Sequence, residues 1–185
     1  LHHNQVDTVY CVPGESFLPV LDALHDAAQI RTIVTRHEGA ASNMADAYGK
    51  LTGRPGIAFV TRGPGATHAS NGVHTAKQDS TPMILFVGQV ETTMKEREGF
   101  QEVDYRQMFG SLAKWATEIE DIERIPEVVA RAFSVAMSGR PGPVVVALPE
   151  DILFNAVAVA DAPPVRISQA APAQQDIDEL ARLLA

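Results

Sequence analysis

Ile33-Val34-Thr35-Arg36-His37-Glu38-Gly39-Ala40-Ala41-Ser42-Asn43-Met44-Ala45-Asp46-Ala47-Tyr48 reads as a short apolar strand that stops at a charged triplet and turns at once into a helix. In an open α/β sheet, ligands sit just past the carboxyl ends of the strands. Glu38 is therefore aimed at a crevice, and Gly39 removes bulk beside it. The helix behind is rich in small residues (Gly39, Ala40, Ala41, Ser42, Ala45, Ala47, Gly49). Small residues let another backbone approach closely, in this chain or in a partner. From the residues alone Glu38 has two readings. One is a working carboxylate at the crevice, the other a helix-start carboxylate favoured by the macrodipole.

The same strand-then-helix rhythm runs outward on both sides. Upstream, Thr8 to Val12 is predicted as a strand ended by Pro13-Gly14, and Glu15-Ser16 open a helix with Phe17, Val20, Leu21, Leu24 and Ala28 on one face. Downstream, Ile57 to Thr61 is a strand, Gly63-Pro64-Gly65 a turn, and a helix runs to about Gln78 with small inner residues Ala66, Ala69, Val73 and Ala76. Met83 to Val87 is a fourth strand, Lys114 to Glu118 a weaker one, and Val144 to Leu148 a last one after a helix that starts at Pro126. Strands that are continuously apolar and alternate with helices mean a parallel sheet covered on both faces. The fold class is α/β: an open, mostly parallel six-stranded sheet with helices on both faces. Residues 89–109 are polar, with isolated aromatics at Phe100, Tyr105 and Phe109, and read as a long loop with a short helix near Tyr105. Long ordered loops in compact domains are uncommon and usually functional. From Pro149, and clearly from Ala160 to Gln175, the Ala/Pro/Gln-rich text reads as a linker.

The 185 residues fit one domain with length left for a linker, and 45% apolar residues suit a real core. A formal charge of −8 argues against nucleic acid or an anionic membrane surface as partner. No run is long enough to cross a membrane, and no secretory segment opens the chain, so a cytoplasmic location is expected. The lone Cys11 reads as a buried core thiol. The chain opens on Leu1 and closes on a helix barely under way, so a piece of a longer protein is expected.

Gly63-Pro64-Gly65 lacks the third glycine of a dinucleotide fingerprint, His68 standing there instead, and Pro64 removes an N–H that a phosphate would use. A tight turn that positions the helix is the better reading. His37 reads as a helix-start residue. His68 and His74 share no helix face well, and no metal ligand is assigned on this chain.

Taken together, Arg36-His37-Glu38 with Ala41 and Met44 to Tyr48, Val12-Pro13-Gly14, Gly63-Pro64-Gly65-Ala66-Thr67, Asp79-Ser80-Thr81-Pro82-Met83, Gly88-Gln89-Val90, Phe100-Gln101-Glu102 and Pro141-Gly142-Pro143-Val144 resemble, in order and spacing, the N-terminal pyrimidine-binding domain of thiamine-diphosphate enzymes. The pattern is most similar to the acetolactate synthase (acetohydroxyacid synthase) large-subunit group. The resemblance implies a pyrimidine-binding domain over 1–155 with a truncated N-terminus, a linker over 156–175, and the start of a central domain over 176–185. It implies that the carboxyl of Glu38 hydrogen-bonds the aminopyrimidine ring of thiamine diphosphate and shares a proton with it, with Gln101 reaching in from the long loop as a second catalytic residue. Pro13, Gly14, Thr61, Pro64, His68 and Gln101 then border the cofactor beside Glu38. Mg2+ and the diphosphate belong to a domain absent from this chain, because no Gly-Asp-Gly motif occurs in it. A homodimer or higher homo-oligomer with the active site between subunits is implied, with the two small-faced helices at the interface. A 2-oxo acid such as pyruvate is the implied substrate.

Three positions depart from the synthase pattern: His68 stands where asparagine is usual, Lys77 where an apolar or aromatic residue is expected, and Thr93 to Gly99 replaces a Gly-containing stretch of shorter side chains. All three are expected on the substrate side, and they leave the substrate open. The alternatives are a decarboxylase of another 2-oxo acid or of an acyl-CoA, a non-catalytic Rossmann-type cofactor-binding module, and a dimerisation domain that has lost its activity.

Overall fold

The computed structural model describes every residue except Gln169. Six strands form one parallel sheet: β1 (Thr8–Cys11), β2 (Arg31–Val34), β3 (Gly56–Val60), β4 (Met83–Gln89), β5 (Trp115–Glu118) and β6 (Pro143–Pro149), in the order β2-β1-β3-β4-β6-β5. The α/β expectation holds, and every pairing is parallel.

Alternate side chains of each strand feed two different cores. On one face Val9, Cys11, Ile57, Phe59, Ile84, Phe86, Val144 and Val146 meet α1 (Leu18–Asp26), α5 (Ile125–Met137) and α6 (Glu150–Phe154). Large residues fill this layer, and Phe17, Phe59 and Phe86 stack with centroids 6.0 and 4.8 Å apart. On the other face Ala58, Val60, Leu85, Val87, Val145 and Ala147 meet α2 (Glu38–Thr52), α3 (Pro64–Asp79) and α4 (Tyr105–Phe109). This layer is thin because Ala41, Ala45, Ala66, Ala69 and Ala76 carry only methyl groups. A Cβ on Gly56 would overlap the Ala45 carbonyl, and one on Gly72 would lie 2.6 Å from the Ser42 backbone. The glycines thus set how closely α2 and α3 lie against the sheet and against each other.

The same helix explains the Met44 to Tyr48 motif. Ala45 faces the sheet, Asp46 pairs with Lys50 at 2.6 Å, and the Tyr48 hydroxyl donates to Asp7 at 2.9 Å. Lys50 also reaches Asp79 at 2.7 Å, which ties α2 to the end of α3.

Helices cover both faces of the sheet, as expected, and at the edge strand β2 Val34 stays 61% exposed. One expectation needs correction. The text after Pro149 is not linker at once, because Glu150 to Phe154 forms a helical turn that buries Ile152 against the large-residue core. Further on, α7 (Gln174–Leu184) has no buried residue. On the way the Val165 amide donates to the Asn4 side chain at 2.9 Å.

Candidate active site

The strand order changes direction at β1: β2 lies on one side of it and β3 on the other. Such a switch point opens a crevice at the carboxyl ends of the strands. Gly14 follows β1 and Thr61 follows β3, and the two meet there. A Cβ on Gly14 would lie 2.6 Å from the Thr61 Cβ and 3.1 Å from the Phe17 ring, so only glycine fits. Thr61 Oγ1 is held by Ser16 Oγ at 2.8 Å, and a Cβ on Gly88 would overlap that serine. Pro13 is exposed at the same turn.

Glu38 opens α2 beside this crevice, with its side chain 14% exposed. Its Oε2 meets His68 Nδ1 at 2.9 Å. Its Oε1 faces Gly65, where a Cβ would lie 3.5 Å from that oxygen and 2.9 Å from Thr61 Cγ2. Among the described residues Oε1 has no hydrogen-bond partner. One carboxylate oxygen is therefore anchored, and the other is open over a glycine. His37 is the N-cap of α2: its Nδ1 accepts the Gly39 amide at 3.0 Å, the helix-start role expected for it. Its ring stacks on His68 with centroids 4.6 Å apart and planes 26° apart.

The Gly63-Pro64-Gly65 turn works as a turn. Gly63 adopts φ +58°, which favours glycine. Its amide donates to the Tyr105 hydroxyl at 2.8 Å, and Pro64 has no amide to give. With its leading N–H groups engaged or missing, the turn makes a poor phosphate cradle, and the dinucleotide alternative loses its site. Burial pushes the Tyr105 phenol up to about 12, against the opposing effect of the Gly63 amide.

Gln101 lies on the other side of this turn. Its backbone carbonyl comes within 2.9 Å of where a Gly63 Cβ would be. It holds φ +62°, and Glu96 and Glu98 hold +60° and +54°, so the segment carries three non-glycine residues in the left-handed region. Such strain persists only where the surroundings over-determine it. Here Glu102 accepts the Glu96 and Gly99 amides at 2.7 and 3.0 Å, and Asp151 holds Thr92. Arg62 bridges the Phe100 carbonyl at 3.2 Å and Glu150 at 3.1 Å. Phe100 itself is left 76% exposed.

The structure thus joins Gly14, Thr61, Gly65, Glu38 and His68 in one run of contacts, with Pro13 and Pro64 at its turns. Gln101 meets the Gly63 end of that run rather than Glu38. Lys77 is a correction: its ammonium donates to the Ala113 carbonyl at 3.3 Å, near the start of β5, at the sheet edge opposite Glu38. Ser16, Gly88, Arg62 and Tyr105 support the site without having been singled out for it. Tyr105 had a signal as an isolated aromatic in a polar stretch, and Gly88 as part of the Gly88-Gln89-Val90 motif.

The family model described as "Thiamine pyrophosphate enzyme, N-terminal TPP binding domain" matches residues 1–108. The chain is similar to the acetolactate synthase isozyme 3 large subunit of Escherichia coli, 44% identical over 148 residues, covering 80% of this chain and 26% of that protein. It is 40% identical over 152 residues to the mitochondrial acetolactate synthase catalytic subunit of Saccharomyces cerevisiae, covering 82% of this chain and 22% of the relative. The acetolactate synthase large subunit of Parasynechococcus marenigrum is 40% identical over 165 residues, covering 86% and 27%. The chain therefore spans about a quarter of the length of the curated relatives it matches. Among the described residues no helix is long and apolar enough to cross a membrane.

Proposed function

The chain belongs to the thiamine pyrophosphate enzymes, as their N-terminal TPP binding domain, and from this we propose that it supplies the pyrimidine-holding half of an acetolactate synthase-like active site. One observation carries the reading. Glu38 stands at the crevice with Oε2 anchored on His68 and Oε1 open over Gly65. An added Cβ at Gly65 would lie 3.5 Å from Oε1, so glycine there keeps that oxygen clear for the approach of a ring nitrogen. The donor chemistry fits as well, since a carboxyl can give or take a proton at a ring nitrogen.

In this proposal Glu38 Oε1 shares a proton with the pyrimidine, and Pro13, Gly14, Thr61 and Pro64 shape the slot. His68 fixes the carboxyl's rotation through Oε2, and Gln101, with Phe100 beside it, faces substrate from the pinned loop. When bound, thiamine diphosphate supplies the carbon nucleophile and electron sink that a 2-oxo acid needs to lose carbon dioxide. The protein's part is to hold the ring, to hold and move the proton at Glu38, and to keep the loop in place.

Its diphosphate and Mg2+ are assigned to a domain outside this chain, 156–175 to a linker toward the next domain, and 176–185 to the start of that domain. The partner proposed is a second copy of the chain, with the active site shared between subunits. The proposed substrate is pyruvate or a related 2-oxo acid and the proposed compartment the cytoplasm.

The test is turnover by the full-length protein with pyruvate, thiamine diphosphate and Mg2+, followed as pyruvate loss and acetolactate formation. Glu38→Gln should lower it by at least about a hundredfold, the lower range for loss of a positioned acid–base group. Unchanged turnover by that variant would sink the role given to Glu38.

A further inference from the structure

We propose that His37, Glu38 and His68 form a binding site for a first-row transition-metal ion, which takes the place of the proton between His68 Nδ1 and Glu38 Oε2. The three side chains offer ligand atoms that all lie within 4.8 Å of one another. The 2.9 Å between Nδ1 and Oε2 suits two ligands of a single ion, each at about 2.0–2.2 Å. The His37 ring lies 4.6 Å from the His68 ring, and it supplies the third donor by turning out of the stack so that its in-plane nitrogen meets the ion.

The local chemistry permits each ligand to turn to the metal. The His68 side chain is 49% exposed, and the neutral ring with its proton on Nε2 leaves Nδ1 as a ligand. His37 gives up the Gly39 amide, which then bonds water, as unpaired first-turn amides of helices do. Two imidazoles and one carboxylate form a facial set that leaves further positions for water, and it selects first-row transition metals. Mg2+ prefers an all-oxygen shell and is a poor match. His68 is the residue that completes the set.

The ion and the pyrimidine claim the same carboxyl, so their binding is mutually exclusive; this consequence rests on the function proposed above. The experiment is a titration of Co2+ into the full-length apoprotein, read as visible ligand-field absorption, with wild type and His68→Asn compared. The expected result is one Co2+ per chain, at least about tenfold weaker binding in His68→Asn, and no displacement by excess Mg2+. Absence of the absorption, equal affinity in the variant, or displacement by Mg2+ would each overturn the site. Thiamine diphosphate is then added to the Co2+-loaded wild type. Loss of the absorption supports the shared carboxyl. Co2+ that stays bound while the cofactor also binds leaves the metal site standing and removes Glu38 from the cofactor.

Discussion

Glu38 and Tyr105 flank the Gly63–Gly65 turn, and each is held by a polar partner distant in sequence. Tyr105 is almost wholly buried, and its hydroxyl is the acceptor for the Gly63 amide. Tyr105→Phe leaves that amide without an acceptor and should cost about 1–3 kcal/mol in denaturant unfolding. The folded chain holds the phenol proton more tightly than the unfolded chain, with about 12 against 10.0. Tyr105 therefore contributes its full stability below pH 10 and loses it as pH rises toward 12. Unfolding curves taken on either side of pH 10 should show a smaller alkaline loss in Tyr105→Phe than in wild type. At this scale the place of Glu38 between β2 and α2 was legible in the sequence, because an apolar run that stops at a charge before a small-residue helix marks a strand end and a helix start. Its contact with His68 was not. The partner lies 30 residues away on another helix, and only the packing of α2 on α3 brings the two together.

The position of α2 carries Glu38, and the glycines beneath the helix set that position. Gly56 lies under Ala45, two turns from Glu38, where an added Cβ meets backbone that cannot rotate away. Gly56→Ala should destabilise the chain by about 1–3 kcal/mol, the usual range for overpacking. It should also weaken thiamine diphosphate binding by the full-length protein, measured by cofactor titration, although the residue touches no part of the site. A stability loss with unchanged cofactor affinity would separate the two effects. The strands and helices themselves were legible from apolar runs and turn residues. Two features were not. The exposure of β2 follows from its place at the sheet edge, which no run of Ile33-Val34 can reveal. The turn of helix from Glu150 follows from one apolar residue, Ile152, reaching the core, and a single residue has no periodicity.

For the whole molecule, the small residues of α2 split into two faces. Ala41, Ala45 and Gly49 are buried, while Ala40, Asn43, Met44, Ala47 and Leu51 are exposed along the opposite stripe, with Met44 38% and Leu51 86% exposed. The proposed homodimer covers this stripe. Met44→Arg should then shift the full-length protein toward monomer in sedimentation and reduce turnover in parallel. An unchanged dimer would place the interface elsewhere. Fold and family were legible because seven short motifs fall in order at the ends of the strands and in the helices and loop that follow them. The metal-ligating triad was not, since two of its members are neighbours in sequence whose directions are set by a cap and a stack.

In the function proposed above, Glu38 moves the proton that readies thiamine diphosphate for chemistry. That role is read most directly from the rate of hydrogen–deuterium exchange at the thiazolium C2 of the cofactor bound to the full-length protein, in wild type and in Glu38→Gln. Exchange should be at least about a hundredfold slower in the variant with the cofactor still bound. Equal exchange rates in the two would contradict that role.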